Sequence, residues 1–291
     1  MKILVTGASG FIGKHLINQL SETYLSDLTI IANASSIESL NKAFPKNYNN
    51  LIVKPYDIYN NDNDLNLFEY FLKPDKLIHL AWKGLPNYGN EYHITENLPS
   101  EFNFISNLIK NGLTDITITG TCFEYGNVEG ELFENFPTNP TNFYALAKDM
   151  LRKSLTLYQN QYKFNMKWLR LFYMYGSGQN SNSIISQLDK ALNNNDKIFN
   201  MSGGEQVRDY LKVEEMVNFI IKISLLNNVN EIINISSATP KKLIDFVTEY
   251  TKNQGKNIFF NKGFYNYSDF EPMCFWGNNN KLSTLLKSTN D

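Results

Sequence analysis

Two side chains four residues apart, a phenol and an ammonium, are the first candidates for chemistry in this sequence. Tyr144 and Lys148 fall on a predicted helix that begins after Pro140, so both project from one face of it. A tyrosine is a weak acid or base at neutral pH, but a positive charge on the adjacent turn favours the phenolate and lowers its pKa. The Thr121 hydroxyl follows a predicted strand, Ile116–Thr119, at the sheet edge where ligands bind in open α/β folds. Together the three groups predict acid–base chemistry on an oxygen atom of a bound molecule.

A glycine-rich turn near the N-terminus predicts a phosphate site. The segment Thr6-Gly7-Ala8-Ser9-Gly10-Phe11-Ile12-Gly13 joins the first predicted strand to an amphipathic helix. Its glycines let backbone N–H groups approach a pyrophosphate, and the helix N-terminus adds positive partial charge. The first two glycines are one residue further apart than in the pattern G-x-G-x-x-G. The strand–turn–helix context nevertheless indicates that a dinucleotide binds here.

The end of the second predicted strand bears on which dinucleotide is bound. The residue about twenty positions beyond such a turn meets the adenosine ribose, and here it is Asn33, followed by Ser35 and Ser36. A carboxylate at this point would repel the 2′-phosphate of NADP. Its absence favours NADP slightly over NAD, although no Arg or Lys adjoins these residues to bind the phosphate. Asp57, after the third predicted strand, is expected near the adenine.

The elements that must position these residues alternate regularly through the first part of the chain. The predicted strands are Ile3–Thr6, Leu28–Ala32, Leu51–Lys54, Leu77–Ala81, Ile116–Thr119 and Met166–Leu171. The predicted helices between them begin near Phe11, Ser36, Asp64, Glu91 and Tyr144. This alternation predicts an α/β fold, Rossmann-like, with a doubly wound parallel sheet covered by helices on both faces.

After Gly176 the alternation becomes less regular. Helices are predicted over Ile184–Asn193, Val213–Leu226, Lys241–Lys252 and Lys281–Leu286, with strands near Ile198, Ile232–Ile235 and Ile258–Phe260. The aromatic segment Phe264–Trp276 is predicted to be a loop packed on a core. We therefore expect a dinucleotide-binding domain over 1–175, to which 213–236 returns. The segments 176–212 and 237–291 are expected to form a smaller α+β C-terminal lobe that binds substrate.

The composition excludes several classes of protein. Of the 291 residues, 42% are hydrophobic and 19% are charged, as in ordinary globular proteins. The net charge of -2 gives no reason to expect binding to nucleic acid or to an anionic membrane. Cys122 and Cys274 are too few for a disulfide framework, and no metal-ligand spacing surrounds them. The N-terminal residues also lack a signal-peptide pattern, so we expect a cytoplasmic protein without a metal.

The order of the motifs resembles one family, the extended short-chain dehydrogenase/reductases that act on nucleotide sugars. The resemblance runs nearly end to end and is carried by Thr6–Gly13, His79-Leu80-Ala81, Asn97, Gly120–Gly126, Tyr144-Ala145-Leu146-Ala147-Lys148, Arg170–Gly176 and Arg208–Val213. It implies that Thr121, Tyr144 and Lys148 are the catalytic residues. The expected cofactor-binding residues are Gly7, Ser9, Gly10, Phe11, Ile12, Gly13, Asn33, Ser35, Ser36, Asp57, Ile58, Leu80, Ala81, Asn97, Tyr144 and Lys148.

The sugar side of the site is expected to differ from that of many relatives. Its predicted residues are Trp82, Lys83, Thr121, Cys122, Phe123, Tyr173 and Arg208. Tyr173 stands where many relatives carry Asn. Arg208 is a candidate clamp for the substrate diphosphate, the alternative being a surface ion pair with Asp209 or Glu214. The three histidines, His15, His79 and His93, receive no role.

The dehydratase branch of the family places Asp and Glu directly after the catalytic Thr. Here Cys122 and Phe123 occupy these positions, and Glu124 comes one residue late, on a segment expected to be extended. Dehydration of the sugar is therefore doubtful.

The resemblance implies NAD(P)H-dependent reduction of a 4-keto-6-deoxy nucleotide sugar. Two alternatives stay open. One is a 4-epimerase or dehydrogenase that uses the same three residues, and the other is a non-catalytic dinucleotide-binding module. The resemblance also implies a homodimer, paired through the helices of 91–111 and 144–163.

Overall fold

A sheet of seven parallel strands organises the molecule. The computed structural model describes residues 1–24, 27–45, 48–60, 64–267 and 272–287. Within these ranges the strands are β1 (Lys2–Thr6), β2 (Thr29–Ala32), β3 (Leu51–Val53), β4 (Lys76–His79), β5 (Asp115–Thr121), β6 (Gly130–Leu132), β7 (Asn165–Leu171), β8 (Tyr173–Tyr175), β9 (Ile198–Asn200), β10 (Val207–Lys212), β11 (Glu231–Ile235), β12 (Pro240–Lys242), β13 (Phe259–Asn261) and β14 (Phe275–Gly277). The large sheet has the order β11-β7-β5-β4-β1-β2-β3.

Helices cover both faces of this sheet. In the same ranges they are α1 (Phe11–Thr23), α2 (Ile37–Ala43), α3 (Leu67–Tyr70), α4 (Leu98–Lys110), α5 (Phe143–Tyr158), α6 (Ile184–Asn193), α7 (Val213–Leu225), α8 (Leu243–Asn253) and α9 (Asn280–Lys287). A π-helical turn precedes α4, and a 3₁₀ turn, Cys122–Tyr125, follows β5. No helix in the described ranges is long and apolar enough to cross a membrane.

Two apolar cores fill the space between the sheet and the helices, one on each face of the sheet. Because side chains alternate along a strand, Ile3 and Val5 of β1 enter one core while Leu4 enters the other. The first core is closed by α1, α2, α7 and α9, and the second by α3, α4 and α5. The sheet is therefore buried on both faces, which is the condition for an all-parallel sheet.

The strand order reverses between β1 and β4, which lie side by side although β2 and β3 intervene in the chain. The carboxyl ends of β1, β4 and β5 consequently meet around one crevice. In open α/β sheets ligands bind at such a switch point. The turn after β1 and the hydroxyl at the end of β5 thus share one edge of the sheet.

Smaller sheets and a third core form the rest of the C-terminal part. Strands β12, β10 and β8 make one sheet, and β13 pairs with β9 and β14 with β6. Helices α6 and α8 enclose a separate apolar cluster that includes Leu188, Phe199 and Val247. In sequence, α7 and β11 come from the middle of this region, but α7 packs on α1 and β11 joins the edge of the large sheet.

The α/β Rossmann-like fold predicted from the sequence is confirmed. Some local expectations were wrong. The helix expected near Asp64 is the single turn α3, and the segment from Glu91 begins with the π-helical turn His93–Asn97 rather than a regular helix. Phe264–Trp276 is not all loop, since its end enters β14. Residues 268–271 of that segment, and 288–291 of the expected C-terminal lobe, lie outside the described residues.

Candidate active site

The glycine turn after β1 leaves room where a dinucleotide pyrophosphate needs it. Gly7 has φ 66°, and a Cβ there would lie 2.8 Å from the backbone nitrogen of Ala81. A Cβ on Gly13 would overlap the carbonyl oxygens of Gly7 and Ala8. Gly10 caps α1 without a side chain, so the first amides of that helix face the crevice. This cradle fits the phosphate groups of a dinucleotide.

Thirteen of the residues predicted for cofactor, catalysis or substrate border one cleft of about 540 Å³. On the glycine turn and directly after β4 they are Gly7, Gly10, Phe11, Ile12, Gly13 and Leu80. Around the reacting groups they are Trp82, Thr121, Cys122, Phe123, Tyr144, Lys148 and Tyr173. The cleft runs from the glycine turn to the end of β5. The structure therefore brings the phosphate cradle and the Tyr–Lys pair into a single site.

The phenol of Tyr144 and the hydroxyl of Thr121 line the same cleft, and the hydroxyl is close enough to lower the pKa of the phenol. Asn142 starts α5 by accepting a hydrogen bond from the backbone of Ala145, so Tyr144 lies in the first turn of the helix. Lys148 follows one turn later and is 1% exposed. Helix and strand together direct a phenol, a hydroxyl and an ammonium at one point of the cleft.

Burial controls the proton affinities of this pair. It raises the pKa of Tyr144, against which the Thr121 hydroxyl acts in the opposite direction. It also lowers the pKa of Lys148 to about 8, while the charges of Glu101 and Glu124 raise it. We had expected the neighbouring ammonium to lower the tyrosine pKa. That expectation is wrong for the net shift, since desolvation of the phenolate is the larger effect.

An indole ring forms the wall beside these two residues. The Lys148 ammonium lies 4.1 Å from the centroid of the Trp82 ring, and the Tyr144 ring meets the same indole edge-on at 5.8 Å. Trp82 Nε1 donates to His93 Nδ1 at 3.1 Å, and His93 Nε2 donates to the Asn87 carbonyl at 3.0 Å. A single neutral tautomer of His93 satisfies both bonds, and burial lowers the pKa of this imidazole.

No role is predicted for the histidines from the sequence, and in the structure two of them make buried contacts that support the site. His93 orients the indole. His79 is fully buried, with Nδ1 2.8 Å from the Thr6 hydroxyl and Nε2 2.6 Å from Glu101. Through these contacts the His79 side chain links β1, β4 and α4. Neither role has a spacing signature, because the partners come from distant parts of the chain.

The residues expected at the adenosine end mostly make internal contacts. Asn33 is 1% exposed, and its Nδ2 donates to the carbonyls of Lys54 and Tyr56, which ties β2 to the end of β3. Ser36 caps α2, and Asp57 accepts from the amide of Tyr59. Ser9 is half-buried, Ser35 is exposed and Ile58 is buried. Ribose binding by this group stays a prediction.

Three other expected contacts lie away from the cleft lining. Lys83 is exposed, and its ammonium sits 5.7 Å from the centroid of the Tyr59 ring. Asn97 is buried, and its Nδ2 donates to the Lys83 carbonyl at 2.9 Å, so it holds the loop after β4. Ala81 contributes its backbone where Gly7 makes its close approach.

Arg208 is 4% exposed, so its side chain does not lie on the surface. Its Nη1 donates to the carbonyls of Val207 and Met273, and its guanidinium lies 4.5 Å from the ring centroid of Phe275. It stands behind Tyr173, at 5.6 Å from that ring, rather than on the cleft lining. A direct contact with the substrate diphosphate stays a prediction.

The segment after Thr121 is not extended, which corrects the expectation for Glu124. Cys122–Tyr125 forms a 3₁₀ turn that buries the Glu124 carboxylate completely. Cys122 and Phe123 remain at the cleft. Glu124 is therefore removed from the substrate side of the site.

Sequence reasoning missed the second wall of the cleft. It comes from the loop before the π-helical turn and from the segment after β8, through Gly84, Leu85, Pro86, Tyr88, Gln179 and Asn180. The Tyr88 carbonyl accepts from the amide of Tyr144 at 3.0 Å, which holds the loop against α5. A cluster of Gly, Pro and Tyr directly after a strand was the available signal.

Comparisons with known proteins agree with this geometry. The family model described as the NAD dependent epimerase/dehydratase family matches residues 3–236. The dTDP-6-deoxy-L-talose 4-dehydrogenase (NAD(+)) of Aggregatibacter actinomycetemcomitans is 25% identical over 282 residues, which cover 95% of this chain and 99% of that protein. The GDP-6-deoxy-D-talose 4-dehydrogenase of the same organism is 25% identical and covers 98% of this chain and 91% of its own.

Solved structures share the fold. The crystal structure of the UDP-glucuronic acid 4-epimerase from Bacillus cereus, in complex with UDP-glucuronic acid and NAD, superposes with a TM-score of 0.84. It covers 99% of this chain and 93% of the other, with 24% sequence identity.

Proposed function

The chain belongs to the NAD dependent epimerase/dehydratase family and is an NAD(P)-dependent enzyme of the short-chain dehydrogenase/reductase type, and from this premise we propose that it reduces a 4-keto-6-deoxy nucleotide sugar. The observation that carries the proposal is the convergence of Thr121, Tyr144 and Lys148 at the end of the cleft that begins at the glycine turn.

The chain's own residues would act on the sugar oxygen. NAD(P)H, when bound along the glycine turn, supplies the hydride for the keto carbon. Tyr144 gives its phenolic proton to the oxygen at C4, and Thr121 hydrogen-bonds the same oxygen. Lys148 holds the nicotinamide ribose, and its positive charge stabilises the phenolate that the proton transfer leaves. The high proton affinity that burial gives Tyr144 suits an acid that must keep its proton until the reaction.

The wall around the sugar supports a 6-deoxy substrate. The rings of Tyr88 and Phe123 lie 5.4 Å apart, and those of Phe123 and Tyr173 6.3 Å apart. Among the described residues that line the cleft, Lys148 is the only charged side chain. An aromatic wall of this kind favours a methyl group at C6, whereas a carboxylate there would lack a cation of its own.

The similar proteins support the same choice. Two of them are named as 4-dehydrogenases of 6-deoxy-talose nucleotides, and a third, 24% identical over 97% of this chain, is the CDP-abequose synthase of Salmonella typhimurium. A 4-dehydrogenase of a 6-deoxy sugar and a 4-ketoreductase catalyse one hydride transfer in opposite directions. Dehydration is disfavoured, because Cys122 and Phe123 line the cleft where an Asp–Glu pair would be needed.

A 4-epimerase is the second candidate, since solved epimerases share the fold and several relatives carry that name. An epimerase retains its cofactor and consumes none of it. The choice between NAD and NADP belongs to the proposal, with the slight preference for NADP resting on the absent carboxylate at Asn33. The proposal also includes a nucleotide-diphosphate sugar as substrate and a cytoplasmic homodimer.

A substrate and cofactor screen tests the proposal. The purified protein is incubated with 4-keto-6-deoxy sugars on dTDP, GDP, CDP and UDP, each with NADH and with NADPH, and products are identified by mass spectrometry and NMR. We expect stoichiometric oxidation of one reduced cofactor with one family of keto sugars. With the corresponding 4-hydroxy nucleotide sugars supplied in place of the keto sugars, interconversion of the epimers without net cofactor consumption would instead establish the epimerase.

A further inference from the structure

We propose that Glu124 is a positioning residue, whose buried carboxylate fixes the turn that bears Thr121 against the helix that carries Tyr144 and Lys148. The proposal rests on the proposed function. Glu124 is 0% exposed although it lies three residues from a hydroxyl at the cleft. A buried carboxylate is costly unless its oxygens are well paired, so its partners show what it holds in place.

The first partner is the backbone of the reacting hydroxyl's own residue. Glu124 Oε1 accepts from the Thr121 amide at 2.9 Å, and the Thr121 hydroxyl oxygen accepts from the Phe123 amide at 3.3 Å. The two bonds form a capping box around the 3₁₀ turn. Because the Thr121 oxygen accepts from Phe123, its own O–H is left to donate toward the Tyr144 phenol or a substrate oxygen.

The second set of partners anchors the carboxylate to the neighbouring strand. Trp168 Nε1 donates to Glu124 Oε1 at 2.9 Å, and Arg170 Nε donates to Oε2 at 2.8 Å. Both donors lie on β7, and both side chains are almost completely buried. The carboxylate and the indole pass so close to the backbone of Gly120 that a Cβ there would overlap both. The Glu124 carboxylate therefore binds the Thr121 amide, the Trp168 indole and the Arg170 guanidinium, and these three contacts fix the turn.

The same network reaches the catalytic helix. Arg152 Nε is buried at 3.9 Å from Glu124 Oε2, and Arg152 Nη2 donates to Asp149 Oδ1 at 2.6 Å. Asp149 directly follows Lys148 on α5, and its other oxygen accepts from Thr138. The network therefore joins the turn after β5, strand β7 and helix α5, the three elements whose relative position sets the distance between the Thr121 and Tyr144 oxygens.

The charge of Glu124 also acts on the pair that it aligns. Burial has the larger effect on both, raising the pKa of Tyr144 and lowering that of Lys148, and the Glu124 charge raises the pKa of each. Other titratable groups that face this pair are Tyr88 and His93 before α4, Glu101 on α4 and Cys122 in the turn. Loss of the Glu124 charge should therefore lower the pKa of both groups without changing these neighbours.

The test compares Glu124→Gln with Asp115→Asn in the full-length protein. Asp115 is also a buried carboxylate between cationic partners, but it lies at the opposite end of β5. For Glu124→Gln we expect kcat to fall by about 10- to 100-fold, because small displacements of reacting groups are costly. KM and the dissociation constant of the reduced cofactor should change little, and the alkaline limb of the pH–rate profile should move to lower pH. Asp115→Asn should keep the wild-type kcat and profile.

Two further measurements keep the proposal testable if Glu124→Gln folds poorly or the substrate is not found. Trp168→Phe removes one donor and leaves the carboxylate, so we expect a several-fold loss of kcat in the same direction. Hydrogen exchange of the segments 121–126 and 143–148 requires no substrate. It should accelerate in Glu124→Gln but not in Asp115→Asn.

The proposal is overturned if folded Glu124→Gln keeps the wild-type kcat and pH profile, or if Asp115→Asn produces the same changes. Unchanged exchange in both segments would also overturn it. Failure of the proposed function looks different, since the wild-type protein would then reduce none of the keto sugars while the exchange experiment still reports on Glu124.

Discussion

A buried carboxylate lies at each end of strand β5, on Asp115 at its start and on Glu124 just after its end. The two carboxylates have different partners. At its first residue, Asp115 accepts from Lys76 and Lys167 at 2.6 Å each, and the two lysines belong to the adjacent strands β4 and β7. Beyond its last residue, Glu124 accepts from a backbone amide, an indole and a guanidinium. The first group joins three strands to one another, whereas the second aligns a hydroxyl at the edge of a cleft.

The difference follows from the direction of a parallel sheet. At the amino ends of β4, β5 and β7 the charged side chains of Lys76, Asp115 and Lys167 pair mainly with one another. The carboxyl ends open onto the crevice at the switch point, where loops and helix N-termini face a ligand. A change at the Asp115 end should therefore alter the free energy of unfolding, and a change at the Glu124 end should alter the reaction.

The largest effect is expected for Tyr144→Phe at the carboxyl end. Loss of the proton donor should lower kcat by about 100-fold or more, while the remaining ring keeps its contacts with Trp82 and Tyr88. Steady-state rates and fluorescence titration with the reduced cofactor measure the two properties separately. Substantial turnover in this variant would show that another group supplies the proton.

The next largest effect is expected on stability, from a substitution at the amino end of β5. Asp115→Asn leaves two buried ammonium groups without their carboxylate, and breaking a buried ion pair in this way costs about 3–5 kcal/mol. Urea unfolding should show this loss in the free energy of unfolding, with kcat unchanged below the transition. A fall in kcat in the fully folded variant would remove the distinction between the two ends.

A smaller effect is expected when a methyl group is added at Gly120, beside the turn at the carboxyl end of β5. It tests whether tight packing there matters, as opposed to the loss of a glycine from any loop. Gly120→Ala places a methyl group against Trp168 and Glu124, and overpacking of this kind costs about 1–3 kcal/mol. Gly89→Ala, where an added Cβ meets nothing within 4 Å, is the matched control. We expect lower stability and lower kcat only in Gly120→Ala. Equal behaviour of the two variants would contradict the packing around the turn.

The last effect concerns the pH dependence of the free energy of unfolding. Burial lowers the pKa of Lys148 from 10.5 to about 8, so between these values the unfolded chain binds a proton that the folded protein does not. The free energy of unfolding should therefore gain a favourable contribution as pH rises from about 8 toward 10. Lys148→Met should lack this contribution. Urea titrations of both proteins across that range measure the difference, and parallel pH dependences would show that Lys148 is not desolvated.

Much of the fold was readable because it is encoded locally. The alternation of apolar runs and amphipathic stretches marks the parallel sheet, and the glycines of 7–13 mark a turn that only a small side chain permits. The four-residue spacing of Tyr144 and Lys148 places them on one helix face without reference to the rest of the chain. Each of these features depends only on residues that are close in the sequence, so it can be predicted without knowing the tertiary contacts.

The contacts that stayed hidden join residues far apart in sequence. Glu124 was expected on an extended segment, but the capping box bends the chain, and its partner Arg170 comes from another strand. His93 gains its role only when Trp82 lies beside it, and Arg208 is covered by Phe275 from near the end of the chain. Short strands such as β6 and β14 depend on one another for pairing, so neither is visible alone.

The most direct measurement follows the transferred hydrogen. NADH or NADPH carrying deuterium at both positions of nicotinamide C4 is incubated with the 4-keto-6-deoxy nucleotide sugar selected by the screen, and the product is examined by NMR and mass spectrometry. We predict one deuterium at C4 of the sugar for each cofactor oxidised. No reduction of the keto sugar, together with interconversion of the corresponding 4-hydroxy epimers without net oxidation or reduction of the cofactor, would contradict the reductase and leave the epimerase as the function of this site.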